Sequence, residues 1–165
     1  MIITSVKELC VQHGVELGVA RIAWVGGRQM SGFRSVFGEL CELVRRLKIG
    51  RILLDLNTLP DISVYDQLWL SKQFIPSLLT LPLRQVVVVL TAKRIYNQHV
   101  MEDLLGAVSL QIRFDLQFFA QPEAGMHWLT DYSPRLPALL IEWVQHCARA
   151  NKADDVADPR AYYQL

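Results

Sequence analysis

Three aspartates and a threonine are the residues of this chain whose spacing most readily suggests chemistry. Asp55 ends one apolar segment, Asp61 and Asp66 follow in the next turn and helix start, and Thr91 ends a second apolar segment. Parallel strands bring such positions to one edge of a sheet, where open α/β proteins bind ligands. Hard cations prefer several carboxylate oxygens, so a metal-dependent phosphoryl site around Asp55, Asp61 and Thr91 is one hypothesis. The favoured interpretation is that these aspartates end strands and cap helices, with no metal or cofactor.

Ser63 is a further candidate, because it stands at the predicted start of a helix. A serine at this position accepts a hydrogen bond from a backbone N–H of the first turn, and Asp66 three residues later favours the positive end of the helix dipole. We therefore expect Ser63 to be a helix cap. The alternative is a phosphorylation site, since the helix dipole also favours the negative charge that a phosphate adds.

The helix after Ser63, predicted over residues 64–81, is apolar on more than one side. Its aromatic residues are Tyr65, Trp69 and Phe74. Core packing accounts for one side, and the other side is a candidate subunit interface or apolar pocket, because exposed apolar patches mark contact sites. Pro76 inside this helix predicts a kink or a break.

Composition excludes several classes of function. The chain has 165 residues, 52% of them hydrophobic and 20% charged, which is typical of one globular domain. Seventeen basic and sixteen acidic residues give a net charge of +1, so nucleic-acid binding is not expected. The apolar runs are shorter than the ~20 residues of a membrane span. Nucleotide-binding loops and nucleophile elbows are missing from the sequence, and we expect a protein that is not an enzyme.

The cysteines and the N-terminus bear on location. Cys10, Cys41 and Cys147 are far apart and odd in number, so the spacing implies no disulfide framework and each is interpreted as a small core residue. The N-terminus lacks the pattern of a secretory signal. Both observations predict a cytoplasmic protein.

Hydrophobic periodicity predicts an α/β fold with the order β-β-α-β-α-β-α-β-α-α. The sheet is expected to have about five strands, with the β-branched run at residues 86–90 in its centre, buried on both faces. We expect one domain over residues 1–150. It includes a C-terminal amphipathic helix at 134–150, which docks through an apolar stripe made of Leu136, Leu140, Trp143 and Cys147. A polar, mobile tail is expected at 151–165.

The arrangement of elements resembles the STAS fold of anti-sigma-factor antagonists, and it is closer still to the SpoIIAA-like bacterial proteins. The resemblance covers about residues 9–131 and is carried by four groups of residues: Ile52-Leu53-Leu54-Asp55-Leu56, Asp61-Ile62-Ser63, Asp66-Gln67-Leu68-Trp69-Leu70, and Ala124 with Trp128-Leu129. In the antagonists, a partner kinase phosphorylates a serine at the start of the matching helix. The resemblance implies that Ser63 occupies that position, with Val64 where the antagonists have a glycine.

Two segments also resemble parts of a response-regulator receiver. Asp55 would match the phosphoacceptor aspartate and Thr91 the switch threonine. A receiver also needs an acidic pair on its first strand and a lysine after its last strand, whereas Asp55 is the first aspartate of this chain and Gln121-Pro122 follow the last strand. Without those charges a phosphoaspartate has neither a metal ion nor an ammonium group to stabilise it.

These observations predict a non-enzymatic STAS-like binding or signalling module. We expect a homodimer that recognises a protein partner or a small apolar ligand. The alternative is a degenerate receiver-like or metal-dependent phosphoryl site around Asp55, Asp61 and Thr91.

Overall fold

The computed structural model of the protein describes residues 1–147 of the chain. The predicted tail at 151–165 and the last three residues of the predicted C-terminal helix lie outside the described residues. Within residues 1–147 the chain forms one mixed sheet of six strands, which confirms the α/β class. The strands are β1 (Ile2–Ile3), β2 (Leu9–Gly14), β3 (Val19–Trp24), β4 (Arg51–Asp55), β5 (Gln85–Val89) and β6 (Asp115–Phe119).

The pairs β1–β2 and β2–β3 are antiparallel, whereas the strands from β3 to β6 pair in parallel. β2 and β3 form a hairpin, joined by a short 3₁₀ turn that ends at Gly18 with a φ of 62°. β1 pairs with β2 as a sixth strand that the sequence pattern did not predict, because two residues are too few to show an alternation. The run at residues 86–90 lies in β5 and just after it, between β4 and β6, and is almost fully buried as predicted.

The helices fill the connections between the parallel strands and then follow the last strand. They are α1 (Phe33–Leu47), α2 (Val64–Trp69), α3 (Ile75–Leu79), α4 (Ile95–Gly106), α5 (Pro122–Thr130) and α6 (Leu136–His146). Counting the rod of α2 and α3 as one helix, the element order matches the predicted one apart from the additional strand β1.

Strand order follows chain order from β1 to β6, and this sets which face of the sheet each helix covers. Right-handed crossovers between sequential parallel strands all lie on one face. The helices α1 to α4 occupy those crossovers and share the main buried cluster with residues such as Ile52 and Leu54. The other face is covered by α5 and α6, which follow β6. Because the order never reverses, the described strands form no switch point of the kind that creates a ligand crevice in doubly wound sheets.

The helical rod after Ser63 contains a π-helical turn, Leu70–Phe74, between α2 and α3. The backbone N–H of Ile75 donates to the carbonyl of Leu70, five residues earlier. Pro76 is the second residue after this turn, and it has no N–H to donate and would crowd the preceding turn of a regular helix. The predicted kink or break at Pro76 is therefore a widened turn, which keeps the rod continuous.

Helix α5 lies unusually close to the sheet because of Gly125. A Cβ atom at this position would lie 2.8 Å from Cγ1 of Val87 and 2.9 Å from Cδ1 of Leu53. Such distances are shorter than real Cβ contacts, so only a hydrogen atom fits between the helix and strands β4 and β5.

The cysteine prediction is wrong for two of the three residues. Cys10 in β2 and Cys147 after α6 form a disulfide with a Cα–Cα distance of 5.9 Å, while Cys41 is a buried free cysteine as expected. The two bonded residues are 137 positions apart in sequence, and only the docking of α6 on the sheet brings them together. The spacing of cysteines in the chain could not show this, because it carries no information on how the C-terminal helix packs.

Candidate functional site

The loop between β4 and α2, residues 56–63, is fixed by the fully buried side chain of Asn97 in α4. The Asn97 amide nitrogen donates to the carbonyls of Leu59 and Pro60 at 3.1 and 3.0 Å. Its oxygen accepts from the backbone N–H of Ile62 at 3.0 Å. One amide group thus satisfies three backbone groups of the loop, and it holds the loop in a single conformation.

The end of this loop is held by a second set of hydrogen bonds. The Tyr96 hydroxyl and the Gln67 side-chain amide both donate to the carbonyl of Ile62, at 3.0 and 2.9 Å. Gln67 also donates to the Tyr96 hydroxyl at 3.0 Å. These contacts tie the first turn of α2 to the start of α4, so that the two helix N-termini form one rigid surface.

Ser63 is the N-terminal cap of α2. Its backbone is extended, with φ −63° and ψ 158°, and its side-chain oxygen accepts from the backbone N–H of Asp66 at 3.1 Å. The cap predicted from the sequence is therefore confirmed. The side chain is exposed, which leaves the alternative of phosphorylation as a prediction.

The candidate aspartates do not form a common site. Asp61 pairs with Arg94 at 3.4 Å, and Asp66 pairs with Arg34 at 3.1 Å. Among residues 1–147, no group of three or more histidine, cysteine, aspartate or glutamate residues is placed to hold a metal ion. The carboxylates are instead distributed between two intrachain ion pairs and a separate position on the sheet.

Asp55 is the aspartate on the sheet, at the last position of β4. Leu53 belongs to the cluster under α5, and strand alternation places Asp55 on the same face, away from α2. A side-chain oxygen of Asp55 accepts from the backbone N–H of Asn57 at 3.1 Å. Burial raises the pKa of Asp55, while the hydrogen bond from Asn57 and the charge of Arg21 oppose this rise.

Thr91 is linked to Asp55 through Asn57. The Asn57 side-chain oxygen accepts from the backbone N–H of Thr91 at 2.7 Å, which joins the ends of β4 and β5. The Thr91 side chain makes no capping hydrogen bond to the turn that follows it. The receiver-like pair is therefore bridged by the side chain and backbone of Asn57.

The three aromatic candidates have different environments. Phe74 is in the core, with its ring centroid 5.1 Å from that of Phe37. Trp69 is half-buried and lies edge-on to Phe33, with ring centroids 6.1 Å apart. Only Tyr65 is at the surface, where 78% of the residue is exposed. The predicted interface or pocket around all three residues is thus reduced to the solvent side of α2.

An apolar surface does exist there, and we call it the α2–α4 surface. It consists of four exposed large residues: Val64, Tyr65, Leu68 and Tyr96. The hydrogen bonds of Tyr96 to Ile62 and from Gln67 place its ring beside the first turn of α2. Exposed apolar groups on a backbone that is already fixed are characteristic of a contact surface, because little conformational entropy is lost on binding.

Arg21 in β3 is a buried polar residue that was not recognised from the sequence. The residue is only 4% exposed, and its guanidinium carbon lies 4.1 Å from the centre of the Trp143 ring. Glu123 is 3.7 Å away, and burial lowers the pKa of Arg21 against the opposing effect of Glu123 and Asp55. A single arginine among Val19, Ala20 and Ile22 is the sequence signal that could have marked it.

A cleft of about 390 Å³ lies at the opposite end of the sheet from the α2–α4 surface. It is bounded by the turn between β2 and β3 and by the first turns of α6, with Leu17 and Leu139 among its apolar walls. Glu16 and Arg135, at this cleft, form an ion pair with each other. No residue of α2 lines this cleft.

Comparison with known proteins identified no relative of this chain. No protein-family model matches the chain, and no significant match was found among curated proteins or solved structures. None of the helices in residues 1–147 combines the length and the apolar character needed to cross a membrane.

Proposed function

We propose that this protein is a non-enzymatic binding module with a STAS-like fold that acts as a homodimer through the α2–α4 surface. The observation that carries the proposal is an exposed apolar surface: Val64, Tyr65 and Leu68 are 74%, 78% and 53% exposed. The loop that leads into this surface is held at Ile62 by hydrogen bonds to Asn97 and Tyr96. Aromatic residues are enriched at protein interfaces, and two of the four residues of this surface are tyrosines.

Charge supports a second copy of the chain as the occupant. The two acidic residues beside the surface, Asp61 and Asp66, are each paired with an arginine of the same chain. Two copies can therefore meet across a twofold axis without an excess of like charge, and the net charge of the whole chain is only +1. A surface built for an oppositely charged partner would carry unpaired charges of one sign instead.

Sedimentation velocity over a wide concentration range tests the proposal. We expect the wild-type sedimentation coefficient to rise with concentration. Tyr65→Glu places a charge within the apolar surface and should remain monomeric. Leu110→Glu is the matched control, because Leu110 is fully exposed and lies outside this surface. A wild-type protein that stays monomeric, or a control that dissociates as readily as Tyr65→Glu, would refute the proposal.

Three narrower expectations stay predictions. The first is the cytoplasmic location, for which the disulfide between Cys10 and Cys147 removes the support from cysteine spacing. The second is a small apolar ligand, for which the cleft near Leu17 and Leu139 is a site of suitable volume. The third is phosphorylation of Ser63, which would alter the edge of the proposed interface.

A further inference from the structure

Helix α6 packs on a part of the sheet that carries polar side chains. Gln12 and Arg21 point towards α6 and are 1% and 4% exposed. The Gln12 amide nitrogen donates to the carbonyl of Leu139 and to the Glu142 carboxylate, both at 2.8 Å. Within the described residues, the Gln12 side-chain oxygen and the Arg21 Nε atom are buried without a hydrogen-bond partner. Unsatisfied buried groups weaken packing, so this interface is less favourable than an apolar one of the same size.

The two halves of α6 are held differently. Leu136 at its start is fully buried in the cluster beneath α5 and anchors the N-terminal half. The C-terminal half rests on a small cluster of Ala23, Trp143 and Cys147, with Arg21 directly beneath the Trp143 ring. In the same half, the Glu142 carboxylate accepts hydrogen bonds from Gln12 and from the N-terminal ammonium group. The disulfide between Cys147 and Cys10 attaches this half of the helix covalently to β2.

We propose that the Cys10–Cys147 disulfide is a redox-sensitive latch, whose reduction by a thiol releases the C-terminal half of α6 and uncovers Arg21. The latch is independent of the α2–α4 surface, which lies at the helix N-termini on the other face of the sheet.

The exchange reaction balances with a dithiol as the reductant. Cys10 is less buried than Cys147. A thiolate of the dithiol therefore attacks Sγ of Cys10 and forms a mixed disulfide with it. Cys147 leaves as a thiolate and takes up a proton. The second thiol of the reductant then attacks the mixed disulfide and releases Cys10 as a thiol. Two electrons pass to the protein, and the reductant becomes a cyclic disulfide.

Hydrogen exchange and arginine labelling, with and without dithiothreitol, test the latch in the full chain. Intact mass first shows whether the disulfide is present and then reduced. On reduction we expect amide exchange over residues 140–147 to accelerate about tenfold or more, while α1 is unchanged. Phenylglyoxal should label Arg21 only in the reduced protein, as mapped by peptide mass spectrometry.

Two variants separate the latch from general effects of thiol chemistry. Cys147→Ser should reproduce the reduced behaviour without any reductant. Cys41→Ser removes the buried free thiol of α1 and should respond to dithiothreitol as the wild type does. Unchanged exchange of α6 and continued protection of Arg21 after reduction would overturn the proposal. So would global unfolding on reduction, or the lack of a disulfide under oxidising conditions.

Discussion

Asn97 connects helix α4 to the loop that precedes α2, and its amide group is fully buried. From the sequence it is one polar residue in a helical segment, and such residues usually face solvent. Its hydrogen bonds form because the loop after β4 packs against the start of α4, and no local sequence pattern reveals that packing. Arg21 was missed for the same reason, since its burial depends on a helix more than a hundred residues later.

Replacement of Asn97 should show how strongly it fixes the loop. Asn97→Ala leaves the N–H of Ile62 and the carbonyl of Pro60 without their partner, whereas the carbonyl of Leu59 still accepts from Arg94. We expect the free energy of unfolding to fall by ~3 kcal/mol in urea denaturation, because each buried group left unpaired costs ~1–3 kcal/mol and water can replace part of the loss. His99→Ala, at an exposed position of the same helix, should have little effect. Equal stabilities of the two variants would contradict this role of Asn97.

Ser63 was predicted correctly as a cap, because capping depends only on residues adjacent in sequence. Ser63→Ala should lower the free energy of unfolding by ~1 kcal/mol, and Ser63→Asp by much less, because aspartate also caps helices. Ser71→Ala removes a hydroxyl from an exposed position of the same rod and serves as the control. Equal free energies of unfolding for Ser63→Ala and Ser71→Ala would show that the cap does not stabilise the protein. Phosphate found on Ser63 in protein isolated from cells would support the alternative that Ser63 is a phosphorylation site, as in the anti-sigma-factor antagonists.

At the scale of elements, strongly periodic segments were predictable and close contacts between elements were not. The valine run of β5 indicates a central strand whatever surrounds it, and the crossover helices follow from the alternation of strands and helices. The two residues of β1 carry no such signal. From the sequence, Pro76 predicted only that the helix would be irregular, because several backbone geometries can accommodate a proline. The widened turn itself was not predictable.

The close contact between α5 and the sheet gives a prediction at this scale. Gly125→Ala inserts a methyl group where Val87 and Leu53 are less than 3 Å away, so we expect ~1–3 kcal/mol of destabilisation from overpacking. Gly38→Ala is the matched control, because Gly38 lies in α1 with no neighbouring atom within 4 Å of the added Cβ. That change should stabilise the protein by up to ~1 kcal/mol through helix propensity. Thermal unfolding of both variants checks the difference in sign, and a stabilising Gly125→Ala would contradict the packing described.

At the scale of the whole molecule, the sequential strand order gives the two faces of the sheet different characters. The face with α1 to α4 carries a large apolar cluster, and its helix N-termini present the α2–α4 surface. The other face is covered by two helices that arrive last in the chain, over a region that includes buried polar groups and a disulfide. The two proposals therefore concern different faces of the sheet, association the first and redox sensitivity the second.

The most direct test of the proposed function is a hydrogen-exchange comparison of the full chain at dilute and at high concentration. If two copies associate through the α2–α4 surface, exchange over residues 62–69 and 95–98 should slow at high concentration, while α1, α5 and α6 remain unchanged. Tyr65→Glu should show no such difference. Exchange that does not depend on concentration in residues 62–69 and 95–98, or protection that appears on α6 instead, would contradict the proposed interface.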